Sequence, residues 1–134
     1  MPLEILERER EGIVVLDMHG RITVGGEAGA MREKMRELAA AQRTNVILNL
    51  QEVDFIDSTG LGALVMGHTA FGKKGGRLAL ENLNSRNIEL LVVTKLTTVF
   101  DIFDDEQQAV NSFFPGRQIR KFDIRSEEHT SELQ

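Results

Sequence analysis

An α/β fold, with a mixed and mostly parallel sheet, an opening β-hairpin and about four α-helices, follows from three features of the chain. Short apolar runs rich in β-branched residues alternate with segments whose apolar residues recur at helical spacing. The first two strand-like runs have no helix between them and meet at Glu11-Gly12. With 134 residues and 41% hydrophobic content, the chain suits a single domain around one core. Strands alternating with helices after a hairpin imply right-handed crossovers in a layered sheet.

Taken in order, Leu3 to Glu9 alternates apolar and charged residues and reads as a strand near an edge. Ile13 to Met18 is almost continuously apolar and reads as a deeper strand. His19 to Gly26 is a glycine-rich exit from it. That exit lacks the G-x-G-x-x-G order and a Gly-Lys-Ser/Thr ending, so it is read as a turn rather than a phosphate cradle. Ala28, Met31, Met35, Leu38 and Ala39 form one helical stripe, with both methionines directed at the sheet. Asn45 to Leu50 is the next strand. Helical spacing returns at Leu61, Leu64, Val65, His68 and Phe71, and Lys73-Lys74-Gly75-Gly76 closes that helix.

Arg77 to Glu81 is a short strand, and Asn82 to Ser85 supplies caps for a helix carrying Ile88, Leu91, Val92 and Leu96. Val99 to Phe103 alternates as a last strand. Asp104 to Gln108 reads as a capping box for a short helix through Ala109, Val110 and Phe113, its acids serving as cap and surface. Pro115-Gly116 ends that helix, and Arg117 to Ile124 is a mildly basic segment without an assigned element.

Composition removes several function classes. The absence of cysteine excludes disulfides, thiolate metal sites and a cysteine nucleophile, and suits a reducing cytoplasm, the expected location. His19, His68 and His129 are too far apart in sequence to set two ligands on one helical turn, so no metal is expected. The N-terminal residues mix acids, arginines and aliphatics, unlike a signal peptide, and no apolar run approaches the ~18 residues of a membrane span. A net charge of -5 argues against direct nucleic-acid binding through a basic surface. Without Trp or Tyr anchors, the chain is expected to be a monomer or weak dimer. Residues 125–134 match the translation of a sequencing-library adapter at every position and are set aside.

The stretch that carries chemistry is Val53-Asp54-Phe55-Ile56-Asp57-Ser58-Thr59-Gly60-Leu61-Gly62, where a strand gives way to a helix start. Asp or Ser at that point accepts bonds from orphaned backbone N–H groups, the reading as a helix cap. An exposed hydroxyl there is also open to phosphorylation, with the helix dipole favouring the added anion. A hydrolase set of Ser58, Asp57 and His68 fails on distance. His68 lies ten residues further along the helix, roughly 15 Å away at 1.5 Å per residue.

Three stretches together carry a resemblance that runs from about Leu3 to Phe113. They are Asn45 through Gly62, with its Asp-Ser-Thr-Gly-Leu-Gly element; Gly75-Gly-Arg-Leu-Ala-Leu80; and Leu96-Thr-Thr-Val-Phe-Asp-Ile-Phe-Asp-Asp105 before a short helix. In that order the chain resembles the STAS domain of bacterial anti-sigma factor antagonists, over residues 1–114, with 115–124 as a C-terminal extension.

The resemblance implies a protein that is not an enzyme and uses no cofactor. Unphosphorylated, it binds an anti-sigma factor that is also a serine kinase, freeing the sigma factor. The kinase phosphorylates the serine after the motif Asp, here Ser58, and a metal-dependent serine phosphatase reverses the step. Asp57, Ser58, Thr59, Gly60, Leu61 and Gly62, with Arg21 and Thr23, are the expected partner-binding residues. Where many antagonists carry Gly-Glu-Leu-Asp, this chain has Gly20-Arg21-Ile22-Thr23, so the partner-facing surface has lost an acidic pair. The alternative within the fold is a STAS module binding a nucleotide or a transporter ATPase subunit, without sigma factor control.

Overall fold

The structure, a computed structural model, describes residues 3–117; residues 1–2 and 118–134, with most of the basic segment and all of the adapter-like one, lie outside it. Two strands open the chain, β1 (Glu4–Arg10) and β2 (Ile13–Ile22). Then come α1 (Gly26–Ala40), β3 (Asn45–Ile56), α2 (Ser58–Lys73), β4 (Arg77–Glu81) and α3 (Ser85–Val93). A 3₁₀ turn (Leu96–Thr98), β5 (Asp101–Phe103) and α4 (Glu106–Asn111) complete it. The sheet order is β1-β2-β3-β4-β5, with β1 antiparallel to β2 and every other neighbour parallel.

The alternation of strand side chains sorts the sheet into two unequal faces. Val14, Leu16, Val46, Leu48, Leu78 and Leu80 point to one face, where Met31, Met35, Leu64, Phe71 and Leu91 of the three crossover helices cover them. Ile13, Val15, Ile47 and Ala79 point to the other, beneath Ala109 and Val110 of α4. Both methionines of α1 are fully buried, as their spacing predicts. At the end of α2, the Gly76 N–H closes on the Phe71 carbonyl at 2.8 Å while Gly75 takes φ +81°, the glycine C-cap expected there.

Four boundaries differ from the sequence reading. β2 continues through His19-Gly20-Arg21 to Ile22, past two irregularities in its register with β3, so the exit turn begins only at Thr23. β3 continues past Leu50 to Ile56, although Gln51, Glu52, Asp54 and Phe55 are exposed. Beyond Asn49 it pairs only with β2, and the solvated half of such a strand lacks the apolar run that marks a fully covered one. Leu96 belongs to the 3₁₀ turn rather than α3, and β5 is confined to Asp101–Phe103.

Asn87 is buried on α3 beside Leu91. Its side-chain amide and that of Asn84 each donate to the Val53 carbonyl at 3.0 Å. They supply a partner that β4, ending level with Asn49, does not provide to that part of β3.

Candidate functional site

The ends of β2 and β3 are held level by their register, Arg21 against Phe55 and Ile22 against Ile56. Each strand then turns into a helix, so two short connections come together at one end of the sheet. The Asp57 N–H donates to the Ile22 carbonyl at 3.2 Å. Its carboxylate is shared between the two connections: Oδ1 accepts from the Gly60 N–H at 2.8 Å and Oδ2 from the Val24 N–H at 2.9 Å.

Asp57 is thus the cap of α2, in extended backbone conformation, and Ser58 is the first helical residue. The capping work falls to the acid, not the serine. Ser58 is exposed, and its hydroxyl has no hydrogen-bond partner among the described residues. The bond from Gly60, followed by that from Val24, holds the Asp57 carboxyl below its ordinary range, so it is an anion at neutral pH.

The neighbouring glycines differ in kind. A Cβ at Gly60 would lie 2.1 Å from the Ile22 carbonyl oxygen and 2.9 Å from Ile56 Cγ2, so only glycine allows α2 to start this close to β2. A Cβ at Gly62 meets nothing within 4 Å, which leaves open space over an exposed backbone. Of the other expected partner-binding positions, Arg21 is exposed, Thr23 and Thr59 are half-buried, and Leu61 turns into the core. Leu61 and Gly60 shape the site by packing, and any outward role of theirs runs through the backbone. His68 stacks edge-on against Phe100, with ring centroids 5.6 Å apart, on the core side of α2.

Spacing gave no sign of the second polar centre, which lies under α4. Arg8 bonds Asp17 through its Nε at 2.7 Å and Glu106 at 2.8 Å, and Arg10 reaches Glu106 at 2.9 Å. Asp17 also accepts from Asn49 at 2.8 Å, and Asn49 stands level with Glu81 in the sheet. Glu81 is fully buried, and neither of its oxygens accepts a hydrogen bond from the described residues. Burial, reinforced by the neighbouring Glu106 carboxylate, pushes the Glu81 pKa up to about 9, so this acid carries a proton at neutral pH. Glu106 is driven the other way, to about 2, chiefly by its bond from Arg8. The acids of α4 are therefore more than cap and surface: Asp105 caps the helix, while Glu106 ties it to β1.

No group of three or more His, Asp or Glu residues placed to hold a metal ion occurs among the described residues, and no helix among them is long and apolar enough to cross a membrane. Two open cavities lie along the outer half of β3. One, of about 310 Å³, is lined by Gln51, Asn82, Asn84 and Phe103 among others. The other, of about 250 Å³, runs along α3 between Phe55 and Val93.

This fold, with an Asp-capped helix presenting a bare serine at the sheet's end, is that of the STAS domain, and the chain belongs to the STAS domain family, which residues 4–109 match. Among its relatives, the anti-sigma-B factor antagonist of Bacillus subtilis is 35% identical over 102 residues, covering 76% of this chain and 92% of its own length. The crystal structure of an anti-sigma factor antagonist from Mycobacterium paratuberculosis superposes with a TM-score of 0.72 at 19% identity, over 82% of this chain and 92% of that one. The Bacillus cell fate determinant SpoIIAA in its phosphorylated form has a TM-score of 0.65 at 18% identity, over 82% of this chain and 99% of that one. The expected fold class and family therefore hold.

Proposed function

We propose that this chain is an anti-sigma factor antagonist of the cytoplasm. Unphosphorylated, it binds an anti-sigma factor that is also a serine kinase; phosphorylated at Ser58 by that kinase, it lets go; a serine phosphatase resets it. In this scheme the chain is the substrate of the switch and not a catalyst. The reading is supported by its relatives' names and, in the molecule, by one observation above all: Asp57 does the capping, which leaves the Ser58 hydroxyl exposed at the start of α2 and without a partner among the described residues.

The physics of the switch follows from that placement. A phosphate on Ser58 adds about -1.5 to -2 charge at the first turn of α2. Inside the domain, the positive helix end offsets part of this charge while the Asp57 anion opposes it, so the fold changes little. At an interface the phosphate must be desolvated against the partner. A hundredfold loss of affinity needs only ~2.7 kcal/mol.

The test uses the source organism's anti-sigma serine kinase with ATP. Wild-type chain is expected to take up one phosphate and Ser58→Ala none, with Ser58→Asp binding the kinase at least tenfold more weakly by titration calorimetry. Equal phosphorylation of Ser58→Ala removes the assignment, and wild-type affinity in a folded Ser58→Asp chain removes the switch.

A further inference from the structure

The turn between β2 and α1 carries Val24, an apolar β-branched side chain that is 69% exposed. A lone exposed valine is ordinary on a protein surface. This one is held in place. Its N–H is bonded to Asp57 Oδ2 at 2.9 Å, and the carbonyls on either side of it, of Thr23 and Gly25, accept from Ala28 at 3.0 Å and Gly29 at 3.2 Å. The two residues after it, Gly25 and Gly26, are exposed and carry no side chain, so among the described residues the valine stays open to an approaching surface.

We propose that Val24 is a specificity-determining contact of the Ser58 site and that Asp57 is the positioning residue that sets it there; this rests on Ser58 being the phosphoacceptor. A kinase site that receives the Ser58 hydroxyl must exclude water around it. The Val24 N–H bonds the side chain of the residue immediately before Ser58, which sets the β2–α1 connection beside the acceptor and within reach of the surface that such a site would cover. Covering Val24 removes apolar surface from water at the same step that seats the hydroxyl, which makes Val24 part of how the partner recognises the acceptor. Asp57 suits the positioning role because a carboxylate offers two acceptor oxygens and both are used, one per connection. A side-chain amide offers one acceptor oxygen and an NH2 group that only donates, so asparagine serves Gly60 or Val24 with its oxygen and turns N–H groups toward the other.

The experiment measures Ser58 phosphorylation kinetics with the same kinase and ATP. Val24→Ser is expected to raise the KM for the chain roughly tenfold, the worth of burying a valine side chain, with kcat held. Val24→Ile, which keeps the apolar branched surface, is expected to restore the KM. Asp57→Asn is expected to raise the KM by a smaller factor and to speed hydrogen exchange of the Val24 amide, read residue by residue, while circular dichroism stays that of the wild type.

A Val24→Ser chain phosphorylated with wild-type KM overturns the contact, and an unchanged Val24 amide in Asp57→Asn overturns the positioning. If the wild-type chain takes no phosphate on Ser58, the switch reading fails and this inference with it. If the wild type is phosphorylated and Val24→Ser matches it, the inference alone fails.

Discussion

Two carboxyl groups in this sheet meet opposite fates. Asp57, at the open end, is surrounded by backbone N–H groups and stays charged below its ordinary pKa. Glu81, at the end of β4 and under α4, has no donor among the described residues and is pushed up to about 9. The difference lies in what pairs with each acid. Two converging strand ends at Asp57 leave N–H groups unpaired and pointing at it, whereas around Glu81 the ladder bonds consume the backbone donors, and burial and the Glu106 carboxylate both disfavour its charge. The first arrangement fixes a surface; the second fixes a helix to a sheet.

The comparison breaks most visibly at Gly60. Gly60→Ala forces a methyl onto the Ile22 carbonyl and is expected to cost about 3 kcal/mol in urea denaturation, displacing the α2 start that presents Ser58. A loss below about 1 kcal/mol shows that the two connections are less tightly joined than the packing indicates.

Next in size is the proton on Glu81. Its folded pKa is raised, so between about 4.5 and 9 the native state binds more protons than the unfolded chain, and stability falls as pH rises through that window. Glu81→Gln keeps the shape without the titration and is expected to be about 2 kcal/mol more stable than the wild type at the alkaline end. Parallel pH profiles for the two proteins reject a protonated Glu81.

Glu106 carries the opposite sign. Its pKa is lowered to about 2, so it contributes stability that is present above about 4.5 and is lost as pH falls toward 2. Its partners are partly solvated, which limits the effect of Glu106→Gln to about 1 kcal/mol at neutral pH and should flatten the acid limb alone. The smallest expected change is Gly62→Ala. With nothing near its Cβ and a helical backbone, it should alter stability by no more than about 0.5 kcal/mol. Its contrast with Gly60→Ala tests whether two glycines two residues apart serve packing and openness respectively.

Much of the molecule was legible in the chain itself. Periodicity placed every strand and helix, the order of elements implied a hairpin followed by parallel crossovers, and the methionine stripe of α1 announced the covered face. The Asp-Ser-Thr-Gly run marked the site because a cap and a hydroxyl at a strand-to-helix junction have a local signature. What patterns could not give were the outer halves of β2 and β3, where solvent on one side erases the apolar run, and the division of labour between Asp57 and Ser58 as cap.

Local propensity and spacing are carried by neighbours within a few residues, so the sequence alone determined the elements, their order and the position of Ser58. Tertiary structure decided what depends on residues far apart in the chain meeting. Val24 and Asp57, separated by 33 positions, share one hydrogen bond that joins two connections into one surface. Arg8 and Glu106, separated by 98, hold α4 over an acid whose charge state only burial sets. Such pairings carry no periodic trace, because nothing in either segment needs the other until the sheet has brought them together.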